Sequence, residues 1–133
     1  MIIFLELLIV LAAGVGGLVA HELGHAAAHR VWCGPGSRRV SIRATSIVVE
    51  VDPEPIGLPR CGVAIAGPAT GAVVPLALTP LTITPGVLEL LAALHLAMLL
   101  PLFVDGRHLL RGAAEARRQL EWSTRRPSRH RAR

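Results

Sequence analysis

Three long stretches of this chain are almost free of charge. From Ile2 to Ala20 every residue is apolar or glycine except Glu6. From Cys61 to Thr79 no residue is charged, and from Val87 to Val104 only Glu89 is charged and only His95 titrates near neutrality. Each stretch is close to the roughly 20 residues needed to cross a hydrocarbon core. The pattern predicts three transmembrane helices, at about residues 2–31, 61–80 and 86–105. The first run lacks the basic segment that opens a secretory signal, so it reads as a retained span.

The segments between and after these runs follow other periods. Gly34-Pro35-Gly36 ends the first helix. Val40, Ile42 and Ala44 share one parity, and Ile47, Val49 and Val51 share another. With a turn through Thr45-Ser46, this alternation predicts a short β-hairpin that stops at Asp52-Pro53-Glu54-Pro55. Gly67-Pro68 and Pro75 predict a kink or break in the second span. Leu109 to Trp122 reads as an amphipathic helix, and Arg125 to Arg133 as a solvated basic segment. The expected fold is an α-helical membrane protein: three transmembrane helices, a short cytoplasmic hairpin and a C-terminal amphipathic helix. Residues 1–112 form the core, and 113–133 form a basic cytoplasmic tail.

Composition agrees with this layout. Apolar residues make up 52% of the 133, and mean hydropathy is +0.53. The net charge is +5, and all 14 basic residues are arginine. None precedes Arg30, and none lies between Arg60 and Arg107. Basic residues collect on the cytoplasmic side of membrane proteins. Three spans with the N-terminus outside place both arginine-bearing stretches inside, where the tail can meet anionic lipid. The expected setting is a multi-pass protein of a bacterial plasma membrane. Nucleic acid is excluded as a partner, because the basic stretches have no interleaved aromatic residues: there are two Phe, two Trp and no Tyr. Cys33 and Cys61 read as small apolar fillers at the reducing face.

Chemistry enters at the end of the first run. His21-Glu22-Leu23-Gly24-His25 is an HExxH motif. On a helix its two imidazoles share one face and can bind one zinc ion, with Glu22 placed to take a proton from a bound water. Three ionisable groups within one and a half turns of a membrane helix are costly and mark a functional site. A catalytic zinc has three protein ligands and one open position. The candidates for the third are Asp105, His29, His95, His108 and Glu89. His29 continues the stripe, but it lies about 12 Å from His21 along the helix axis. His95 and Glu89 sit deeper in the third run or toward its outer end. Asp105 matches the depth of the motif and is selected, with His108 second.

These residues resemble the site-2 protease family of intramembrane zinc metalloproteases. The resemblance rests on HELGH in the first span, Gly67-Pro68 in the second, and Leu100-Pro101 followed by Asp105-Gly106. It covers about residues 5–112. It implies zinc held by His21, His25 and Asp105, with Glu22 as general base. The implied activity is hydrolysis of peptide bonds in a single-span membrane protein substrate near the cytoplasmic face. The sequence departs from the family where asparagines are usual, at Gly71 and Met98, and Val104 replaces the leucine of the family's LDG motif. The alternatives from other classes are a non-proteolytic zinc-binding membrane regulator or partner subunit, and a small transporter using His95 and Glu89.

Overall fold

A computed structural model describes residues 1–35, 37–43, 46–52 and 54–125. Helix α1 is Ile2–Cys33. At 1.5 Å per residue, its 32 residues reach about 48 Å. A two-stranded antiparallel ladder follows, β1 (Ser37–Arg43) with β2 (Ser46–Asp52). Ser46, expected in the turn, is in the ladder opposite Arg43, and Val40 is opposite Val49. Ala44 and Thr45 lie outside the described residues, as does 126–133 of the expected tail.

Helix α2 (Leu58–Leu78) opens with proline in its first turn, where the missing N–H costs nothing. It is one helix through Pro68 and Pro75, so of the kink or break that the prolines predict, the break does not occur. Both prolines are fully buried, so their rings face protein rather than surroundings. A 3₁₀ turn, Thr79–Leu81, closes it. The next loop is tied to α1 by Glu6, whose carboxylate accepts from Thr82 Oγ1, from the Ile83 N–H at 2.8 Å and from Thr84 Oγ1 at 2.9 Å. Helix α3 is Pro85–Ala97 and helix α4 is Val104–Arg125.

Among the described residues, α1 and the stretch Leu58–Leu81 are long and apolar enough to cross a membrane. The predicted third span is corrected. Its helix stops at Ala97 after 13 residues, too few to cross alone. The cause is Pro101, which cannot donate a backbone bond and disfavours helical geometry at Leu100. Tight turns replace the helix: Leu99 N–H to Leu96 O at 3.1 Å and Leu100 N–H to Ala97 O at 2.9 Å. The Gly106 N–H then reaches back to Met98 O at 3.1 Å, reversing the chain. The amphipathic helix therefore starts at Val104 instead of Leu109, and Asp105 sits in its first turn.

Helix α2 is the centre of the assembly and packs against α1, α3 and α4. The buried apolar residues are few and mostly small, including Ala13, Ala64, Ala72, Leu88 and Ala92. Small residues let helix backbones approach closely. The large apolar side chains of α1 point outward, among them Leu7, Leu11, Val15 and Leu18.

Arg60, near the start of α2, holds α4 in place. It is buried, with Nη1 3.1 Å from Glu54 Oε1 and Nε 3.2 Å from Glu115 Oε2. Glu115 also accepts the Gly57 N–H at 2.9 Å. A buried guanidinium requires such partners.

Candidate metal centre

The one group of potential metal ligands formed by three His, Cys, Asp or Glu side chains among the described residues is His21, His25 and Asp105. Helical spacing brings the first two together: His21 Nε2 and His25 Nε2 are 3.1 Å apart. Asp105 arrives from α4. Its Oδ2 is 3.2 Å from His21 Nε2, and its Oδ1 is 3.3 Å from His25 Nε2. Ligand bonds of about 2.0–2.1 Å in a tetrahedron set neighbouring donor atoms about 3.3–3.4 Å apart. The three donors thus form nearly one face of a tetrahedron of zinc dimensions.

The orientation of His25 is fixed from behind. Its Nδ1 lies 2.7 Å from the Val63 carbonyl, which can only accept, so Nδ1 carries the hydrogen. In the neutral ring, Nε2 then presents its lone pair to the position an ion would take between His21, His25 and Asp105. This carbonyl-to-histidine support is a common outer shell of metal sites. The ring lies where a side chain at residue 67 would be; a Cβ on Gly67 would collide with it.

Asp105 is brought in by the chain reversal. Gly106 lies so close to the Leu100 carbonyl that a Cβ there would overlap it. Burial pushes the Asp105 carboxyl up, but the His21 and His25 rings beside it outweigh this and hold the group well below the usual carboxylate range. The position of Asp105 in the first turn of α4 also favours negative charge. The ionised form is the one that binds a cation.

Glu22 is half-buried on the same helix, beside His21 and outside the ligand group. The other histidines and acids weighed as ligands are elsewhere. His108 and Glu89 are exposed, and His29 is buried apart from the three. His95 is buried 6.0 Å from His21, ring centre to ring centre. Cys33 and Cys61 are both free thiols, as expected. Two supports escaped the sequence reading. The Val63 carbonyl is a backbone group and leaves no residue signature. Arg60 counted only as a topological charge, although its isolation at the head of an apolar run was a signal of an ion pair.

No protein-family model, curated protein or solved structure matches this chain.

Proposed function

We propose that this chain is a zinc-dependent intramembrane endopeptidase of the site-2 protease type. The observation that carries the reading is the triangle of His21 Nε2, His25 Nε2 and Asp105, with sides of 3.1, 3.2 and 3.3 Å. A triangle of this kind leaves the fourth corner of a tetrahedron open for water, as catalytic rather than structural zinc sites do. The outward leucines and valines of α1 and the two span-length helices support a bilayer setting. Asp105 meets His21 and His25, so α3 and the turns after it bring the chain back to the level of the histidines on α1 without a third full-length span. With that return, the arginine distribution supports an external N-terminus and a cytoplasmic tail that contacts anionic lipid.

His21, His25 and Asp105 would hold the ion. When bound, zinc supplies a Lewis acid that polarises the scissile carbonyl and makes its water acidic. With the ion in place, Glu22 would take a proton from the attacking water as its oxygen bonds to the peptide carbon. The same carboxyl would then give the proton to the amine nitrogen as the C–N bond breaks. A structural zinc site has no use for a carboxylate at position 22. The substrate is a single membrane-spanning protein segment, because a site carried by span-length helices is reached from within the bilayer.

The test is cleavage of a panel of purified single-span proteins in detergent or vesicles. The expected result is a new N-terminus inside or next to the spanning segment, lost on chelation and restored by zinc. Tight zinc binding with no cleavage of any panel member would replace the protease with the zinc-binding regulator.

A further inference from the structure

His95, on α3, plays no part in the mechanism above, yet it is buried beside it. Its Nδ1 is 2.9 Å from the Leu91 carbonyl one turn earlier, so Nδ1 carries the hydrogen and Nε2 the lone pair. That Nε2 is buried and has no partner. Across from it, His21 has the complementary deficit. As a metal ligand through Nε2, His21 would carry its hydrogen on Nδ1, and this atom too is buried without a partner. A donor and an acceptor are thus left unmet on two rings whose centres are 6.0 Å apart. Buried polar groups are nearly always paired, directly or through ordered water.

The fold makes room for His95 at that place. Its ring fits between Gly17 of α1 and Gly71 of α2. A Cβ on Gly71 would collide with His95 Cδ2, and one on Gly17 would come within 2.9 Å of Cε1 and 3.1 Å of Nε2. The Gly71 site also abuts His21 Cβ at 3.1 Å. Small residues commonly let one helix approach another. Here the approach admits an imidazole, a costly group to place in an apolar bundle without a task.

We propose that His95 is the positioning residue for His21. Its Nε2 accepts, through one bridging water, the hydrogen on His21 Nδ1. One water making two hydrogen bonds of about 2.9 Å spans such a gap, and the carbonyls of Gly17 and Gly71 border the same space. The link keeps the Nε2 lone pair of His21 turned toward the ion position shared with His25 and Asp105, as the Val63 carbonyl does for His25. The proposal rests on the reading of His21, His25 and Asp105 as a metal centre.

The experiment loads the full-length chain in detergent with cobalt(II), reading affinity by competition and ligand geometry by visible absorption. The variants are His95→Leu, which keeps bulk without an acceptor, and His95→Gln, which restores a polar partner. Loss of an outer-shell partner typically weakens metal binding about 10- to 100-fold. His95→Leu is expected to bind one cobalt with that loss and with shifted bands, and His95→Gln to recover most of both. A His95→Leu protein with unchanged affinity and spectrum overturns the proposal. His95→Ile serves as a second acceptor-free variant should His95→Leu not fold, judged the same way. An Asp105→Ala control that binds cobalt as well as the unaltered chain overturns the metal centre itself, a result distinct from a silent His95.

Discussion

The Val63 carbonyl holds His25 from behind at 2.7 Å while His25 Nε2 faces Asp105 at 3.3 Å. One residue thereby links the central helix α2 to the ligand triangle. The arrangement exists because Gly67, one turn beyond Val63, leaves space for the ring.

Gly67→Ala is therefore expected to push His25 off the Val63 carbonyl. Loss of an outer-shell contact typically lowers metal affinity by about 10- to 100-fold. A competition titration of zinc against a chelator checks this. Gly14→Ala, where an added Cβ meets nothing within 4 Å, is the matched control and should leave affinity unchanged.

The third ligand gives a second expectation. Asp105→Ala should abolish stoichiometric zinc, because it removes the anionic member of the triangle. His108→Ala should retain it, since His108 is exposed and outside the group. Gly106→Ala should resemble Asp105→Ala, as the added methyl would overlap the Leu100 carbonyl and displace the first turn of α4. Metal analysis of the three purified variants decides between Asp105 and His108.

The motif and its partner were legible in the sequence for different reasons. HELGH needs only helical spacing, so the convergence of His21 and His25 follows from two positions four apart. Asp105 was legible by depth, but its setting was not. The apolar run Val87 to Val104 continues past the true helix end, and hydropathy alone does not register that Pro101 stops the helix. Asp105 thus belongs to the start of α4 and not to the end of a third span. Pro68 and Pro75 allowed a break that the fold does not use: both sit inside a continuous α2, buried among its neighbours. The Arg60 cluster depends on α2 meeting α4, a tertiary contact with no local periodicity.

That cluster is a stability device. Removing one member of a buried ion pair costs about 3–5 kcal/mol, and since Glu115 is partly exposed, about 2–3 kcal/mol is expected for Arg60→Met. The double variant Arg60→Met, Glu115→Leu should recover a good part, because no half-buried charge is then left alone. Unfolding of the detergent-solubilised protein by thermal or chemical denaturation measures both. Equal losses in the single and double variants would show that the charges do not act on each other.

The proposed topology rests on the arginines and on the return of the chain to the level of His21 at Asp105. A reporter fused after Arg133 should be active only in its cytoplasmic form, and one fused before Met1 only in its external form. An external C-terminus would place the metal centre at the opposite face from the one inferred from charge.

The measurement that bears most directly on the account is a paired one, zinc content and cleavage of the same substrate, on unaltered protein and Glu22→Gln. The amide is nearly isosteric, so packing in α1 and the ligand triangle should be kept, and both proteins should carry one zinc. Glutamine cannot take the water proton, and loss of general base catalysis should slow cleavage by about 10²- to 10⁴-fold. Equal zinc with cleavage lost only in Glu22→Gln is the predicted result. Equal cleavage by both proteins, or loss of zinc along with Glu22, would contradict the roles assigned to these residues.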